Sequence, residues 1–355
     1  MADPTNEYCA CLADIEAAAE RVRAHVTRTP VVCAAPLDAL SNAGAGGTSF
    51  LFKCEALQVS GSFKFRGACN AVFGLEAHEA AKGVVTHSSG NHAAALALAA
   101  RSRGIPAHIV VPRGAPGVKV AAIQAAGAQL QFCEATMDAR EAACAEIMER
   151  TGATLVPPYN SGVVVAGQAT IALELLEQAR ELEQFGGLDA IVVPISGGGM
   201  TSGIALAVKA LSPDTLIIAA EPVGEGGSEA DVLASKAAGR LVDDLPKPQT
   251  IADGLCARMG DKTWPIVRDL VDEVVTVTEP EIRQAMRACY EQLKVAVEPS
   301  GAVGLAAAVS DGWAAVPRLR RCARVGVILC GGNVDVLRLG EHFEGTHSTY
   351  APPRQ

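Results

Sequence analysis

Short apolar runs alternate with longer alanine-rich stretches along most of this chain. From residue 84 to residue 134 the order is "VVTH", a polar loop, "AAALALAARSRG", "PAHIVVP", "GVKVAAIQAAGA" and "QLQFCE". Runs rich in β-branched residues and bounded by glycine, proline or polar clusters predict strands, and the alanine-rich stretches predict helices. The spacing is that of parallel strands joined by crossover helices.

A second series follows "LVPPYNSG", whose prolines and glycine mark a connection. Here "ATIALELLEQARELEQF" predicts a helix, "DAIVVPI" a strand, "GIALAVKALS" a helix and "TLIIAAEP" a strand, and near the end "RVGVILCGGN" predicts a strand running into a glycine pair. The pattern defines an α/β protein of two parallel-sheet lobes packed together.

Composition removes several function classes. The 355 residues are 49% hydrophobic, enough for a substantial core, and the net charge of −9 with no basic run argues against nucleic acid as a partner. No continuous apolar run approaches the ~18 residues of a membrane span, and the N-terminal stretch has no basic segment leading into an apolar core. The expectation is a cytoplasmic protein with no membrane partner. Eleven cysteines are scattered without a CxxC pair, and seven histidines without HExxH, so reduced thiols packed as small hydrophobes are expected and no metal motif stands out.

In open parallel sheets ligands sit beyond the carboxyl ends of strands. Three loops at such positions are rich in Gly, Ser and Asn: "THSSGNH" (86–92), "ISGGGMTSG" (195–203) and "CGGN" (330–333). The second joins a strand to a helix start, where consecutive backbone N–H groups and the positive helix end hold phosphate, and Gly197, Gly198 and Gly199 carry no Cβ to block an anion. It fits neither GxGxxG nor GxxxxGK[ST]. In the first loop Ser88, Ser89 or Asn91 could cap a helix beginning near Ala93, yet three polar side chains exceed the needs of one cap.

In "SGSFKFRG" (60–67), Lys64 stands between Phe63 and Phe65. Either it is the solvent face of a strand, or its apolar flanks strip its ammonium of water, lowering its proton affinity and freeing an amine to attack a carbonyl. An imine-forming lysine, a glycine-rich anion cradle and a polar loop together suit pyridoxal 5′-phosphate.

At this point the sequence resembles a family. "SGSFKFRG", "HSSGNH", "AGQATIALE", "SGGGMTSG", "EPSGAVG" and "CGGNVD" are similar, in content and order, to motifs of the fold-type II pyridoxal-phosphate enzymes, whose fold is tryptophan synthase β-like. Within them the chain looks like the serine racemase and serine/threonine dehydratase branch over roughly residues 15–340. The resemblance implies a large cofactor-binding domain of residues 1–82 and 159–355, a small mobile domain of residues 83–158, and a homodimer. It implies that Lys64 holds the cofactor as a Schiff base with Phe63 beside the ring. Asn91 would bond the ring hydroxyl, and Gly197, Gly198, Gly199 and Met200 would bind the phosphate. Ser88, Ser89, Asn91, His92 and Arg140 would meet the substrate. Ser89 matches the hydroxyl that racemases place on the ring face opposite the lysine, Cys330 stands where a serine more often faces the pyridine nitrogen, and Arg66 is structural.

The implied reaction is interconversion of L- and D-serine with dehydration to pyruvate and ammonia. The alternatives are a threonine or 3-hydroxyaspartate dehydratase and a non-catalytic binding protein for the cofactor or an amino acid. A magnesium or calcium ion is implied at Glu221 and Asp231, with Glu225 or Glu229 able to replace one of them, because "EPVGEGGSEADVLASK" is longer than the usual segment.

Overall fold

The structure is a computed structural model and describes residues 8–40, 47–115, 117–224 and 230–349, with Val118 described by its backbone only. Its strands are β1 (Val31–Val32), β2 (Ser49–Lys53), β3 (Val84–His87), β4 (Ala107–Pro112), β5 (Gln129–Cys133), β6 (Thr154–Leu155), β7 (Ala190–Pro194), β8 (Leu216–Pro222), β9 (Glu273–Val277) and β10 (Arg324–Ile328). They form a six-stranded sheet in the order β1-β2-β10-β7-β8-β9 and a four-stranded sheet in the order β5-β4-β3-β6. All pairs are parallel except β1 with β2.

The longer helices are α1 (Leu12–Val22), α2 (Lys64–Phe73), α3 (Asn91–Arg103), α4 (Gly117–Ala125), α5 (Met137–Thr151), α6 (Gly162–Glu181), α7 (Gly199–Leu211), α8 (Asp231–Ala238), α9 (Trp264–Leu270), α10 (Glu279–Ala288) and α11 (Pro299–Ala308). Strand β7 is buried throughout, as a parallel strand covered on both faces must be. Its side chains alternate between two cores: Ile191 and Val193 pack on one side of the large sheet, Ala190 and Val192 on the other.

The last strand fixes where the chemistry sits. β10 inserts between β2 and β7, with Val325 opposite both Phe50 and Ala190. The carboxyl ends of these three parallel strands therefore open on one edge, bringing together the segments that follow each: 54–64, 195–199 and 329–333. Hydrogen bonds from Phe63 N to Cys330 O and from Gly332 N to Gly61 O lock the first to the last.

Lys64 is the first residue of α2, so "SFKF" is a helix entry and not the exposed face of a strand. The helix lies close against α6 because two glycines meet: a Cβ on Gly167 would stand 2.7 Å from the Gly67 Cα. Below Lys64, Arg66 is wholly buried and forks onto Glu55 (2.8 Å) and Glu174 (2.7 Å), with Lys53 2.6 Å from the same Glu174. Two cations and two anions sealed together satisfy one another, and removing one partner of such a pair costs about 3–5 kcal/mol. Arg66 therefore has the structural place expected of it.

The helices expected from Ala169 and Gly203 begin earlier, at Gly162 and Gly199. The first opens on a β-branched "GVVV" that reads as well as a strand, and the second on the polar "GMTS" after two glycines, so neither start carries a helical apolar period. α3 likewise starts at Asn91, with Gly90 as its N-cap and no side-chain cap. The capping reading of the polar loop is thus corrected: Ser88 Oγ only accepts from Gly90 N at 3.3 Å, which leaves the remaining hydroxyl and amide groups for other partners.

Candidate active site

Lys64 Nζ donates to the carbonyl of Pro158 at 2.7 Å and lies 5.0 Å from the centre of the Phe63 ring. Burial pushes its pKa from the ordinary lysine range down to about 8. An amine so poised gives up its proton near neutral pH, which a nucleophile or base needs.

The next residue after Pro158 leads to the glycine loop. Tyr159 lies against it so closely that a Cβ on Gly197 would come within 2.4 Å of the ring, and one on Gly199 within 2.9 Å of the Tyr159 Cβ. Gly198, with φ +86°, occupies the left-handed region as the N-cap of α7. The loop is strapped from outside by residues 257–263. Ser196 Oγ donates to Ala257 O at 2.7 Å, and Thr263 Oγ1 donates to Gly197 O at 2.7 Å. The first-turn N–H groups of α7, Gly199 and Met200 among them, have no carbonyl of their own helix to bond. A strapped loop at the positive end of a 13-residue helix is suited to hold an anion.

The polar loop crosses from the small sheet to meet the other two. Asn91 Nδ2 donates to Glu298 Oε1 at 2.6 Å, while Asn91 Oδ1 accepts from Asn333 Nδ2 at 2.9 Å, which ties β3's loop to both the "EPSG" turn and the "CGGN" loop. One amide hydrogen of Asn91 remains for a ligand. Glu298 is buried, and burial above all, with the charge of Asp253 second, raises its pKa to about 8. Its surroundings therefore favour the neutral acid over the carboxylate.

His92 is buried and its Nε2 lies 2.9 Å from Val156 O. A carbonyl only accepts, so the proton is on Nε2. Burial, and then the Lys64 charge, hold the ring neutral with a pKa of about 3. Its side chain has no proton left for a carboxylate, whereas the first N–H groups of α3 have no carbonyl of their own helix to bond. Arg140, on α5, has a buried Nε with no partner among the described residues. Ser89, partly buried, lies one residue before the α3 N-cap.

Cys330 is buried, and its thiol donates to Ser300 O at 3.3 Å. Burial, then the nearby Glu298 and against the pull of Lys64, raises its pKa and keeps it a thiol.

Glu221, near the end of β8, and Asp231, the first residue of α8, have their carboxyls side by side. Glu221 accepts from Val232 N and Leu233 N, both at 2.9 Å, and Asp231 accepts from Met259 N at 2.8 Å. Burial raises Glu221 to about 7, and Asp231 adds to the rise. Among the described residues no group of three His, Cys, Asp or Glu side chains could hold a metal ion. Glu225 and Glu229 lie outside the described residues.

Pro158, Tyr159, Ser196, Thr263 and Glu298 join this site without having been singled out in the sequence. The Lys64 amine, the helix-end cradle and the unpaired Arg140 Nε fit an aldehyde bearing a phosphate and an amino-acid carboxylate. The chain matches the family "Pyridoxal-phosphate dependent enzyme" over residues 22–331 and belongs to it. The serine racemase of Arabidopsis thaliana is 52% identical over 340 residues, 96% of this chain and 98% of that protein. Among solved structures, maize serine racemase superposes with a TM-score of 0.87 at 48% identity, covering 94% of this chain and 97% of that one. The T.th. threonine deaminase gives a TM-score of 0.82 at 38% identity, over 92% of this chain and 99% of that one.

Proposed function

We propose that this chain is a serine racemase that also dehydrates L-serine to pyruvate and ammonia. The observation that carries the reading is a buried amine of lowered proton affinity, Lys64, at the carboxyl-end edge of the large sheet, to which Asn91 ties the small-sheet loop that carries the Ser89 hydroxyl. Similarity to the serine racemases of Arabidopsis thaliana and maize supports it.

Pyridoxal phosphate, when bound, supplies an aldehyde for an amine and an electron-withdrawing ring that takes up the charge left at Cα. Lys64 is the residue that would hold it, with Phe63 beside the ring and the N–H groups of Gly197, Gly198, Gly199 and Met200 on the phosphate. The spare amide hydrogen of Asn91 suits the ring hydroxyl, and Cys330 suits the ring nitrogen as a neutral partner.

The chain's own groups then divide the work. Ser88, Ser89, the α3 N-terminus at Asn91 and His92, and Arg140 orient the substrate carboxylate. Lys64 takes the Cα proton on one face. If Ser89 delivers a proton to the other face and recovers one from solvent as Lys64 releases its own, L-serine becomes D-serine. If the β-hydroxyl instead leaves with a proton as water, hydrolysis gives pyruvate and ammonia.

The likeness to threonine deaminase favours one second reading, a dehydratase of threonine or 3-hydroxyaspartate using the same lysine. Product analysis separates the two: D-serine forms only under the first.

Residues 83–158 contain all four strands of the smaller sheet and suit a small domain that moves against the rest. Glu221 and Asp231 suit magnesium or calcium, whose charge would offset the cost of burying two carboxylates side by side. A homodimer in the cytoplasm completes the proposal; no described helix is long and apolar enough to cross a membrane.

A further inference from the structure

On one side the two sheets are joined by packed helices, α2 lying against both α3 and α6. On the side of the cleft the joining is polar. Asn91 reaches Glu298 and Asn333, and farther out Lys119 Nζ is paired with the Asp253 carboxylate. Lys119 belongs to α4, beside the small sheet, where Ile123 is buried against the small-sheet core. Asp253 begins a short 3-10 turn (Asp253–Leu255) whose Gly254 N bonds Ser300 Oγ at the start of α11.

We propose that Lys119 and Asp253 are a positioning pair, a clasp that holds the small-sheet half over bound substrate. The inference rests on the substrate reading above only for the kinetic part of its test. Three features carry it. The pair spans the two sheets through side chains alone, so it breaks without disturbing either core. Its members are 36% and 56% exposed, so ions reach it and its strength falls with salt. Both also act electrically on Glu298, Asp253 raising and Lys119 lowering its proton affinity, so the clasp lies within reach of the site's own hydrogen bonds.

A clasp of this kind shifts an open–closed equilibrium by only as much as the pair is worth. For a solvent-exposed pair that is a factor of about two to five. The geometry therefore predicts a rise of that size in KM, with kcat changed less.

The test compares the cofactor-loaded parent with Lys119→Ala, Asp253→Asn and the charge-swapped double variant Lys119→Asp with Asp253→Lys. Hydrogen exchange of peptides covering 117–125 is followed at low and high salt, alongside KM and kcat for L-serine. The clasp predicts faster exchange and raised KM in each single variant, recovery in the swap, and a salt response in the parent that the single variants lack. Equal exchange in parent and single variants at low salt overturns it, and so does a swap that behaves as the sum of its parts. Because exchange needs no turnover, a protein inactive on serine whose exchange still responds keeps the clasp and loses the substrate reading.

Discussion

The Asn91 side chain gives its amide hydrogen to Glu298 at 2.6 Å, and through this bond the loop of the small sheet touches the buried acid of the large one. Glu298 takes up a proton more readily in the folded state, where burial sets its pKa to about 8, than in the unfolded chain. For an acid shifted upward the native state binds more protons between the two values, so stability falls as pH rises from the unfolded value toward 8. Glu298→Gln keeps an uncharged oxygen for Asn91 and removes the titration. Thermal unfolding at pH 6 and 8.5 should show the variant gaining on the parent at the higher pH; an unchanged difference would mean Glu298 is not held neutral.

Ser89→Ala deletes the hydroxyl assigned to the second face and leaves Lys64 in place. Racemisation should drop by about 10²–10⁴, the usual contribution of a positioned acid or base, with dehydration of L-serine largely kept. Parallel assays of D-serine and pyruvate decide it, and equal loss of both products contradicts the two-face scheme.

Gly198→Ala forces a side chain into left-handed backbone at φ +86°, with its Cβ 2.8 Å from Met259 Sδ. The backbone penalty alone is about 1–2 kcal/mol, close to tenfold in affinity if it falls on the loaded cradle. Titration of the cofactor into the apo-protein should reveal that loss, and a melting curve separates it from general destabilisation. Unchanged affinity in a folded variant removes the loop from phosphate binding.

Glu221→Gln leaves an oxygen for the α8 N–H groups and takes away one anionic donor. Magnesium or calcium added to the parent should raise its melting temperature, and the variant should respond at least several-fold more weakly in cation concentration. A response identical in both places the cation elsewhere.

Much of the architecture was legible because parallel strands buried on both faces read as apolar runs, and the three glycine-rich loops follow such runs directly. Lys64 was legible through its flanking phenylalanines. Other contributions depend on partners remote in sequence. The raised proton affinity of Glu298 comes from what surrounds it, and Tyr159 matters because its ring and its Cβ lie where Gly197 and Gly199 leave room. The tautomer of His92 is set by the carbonyl of Val156, 64 residues away. No local pattern encodes such contacts. The starts of α6 and α7 escaped for a different reason: "GVVV" reads as well as a strand and "GMTS" is polar, so helical periodicity marks neither.

The central claim is that Lys64 and Ser89 serve opposite faces of one substrate. It is tested most directly by incubating the cofactor-loaded protein with L-serine and magnesium and measuring D-serine and pyruvate in the same tube. The account predicts both products, with Lys64→Ala forming neither. Pyruvate without D-serine would contradict it and leave a dehydratase.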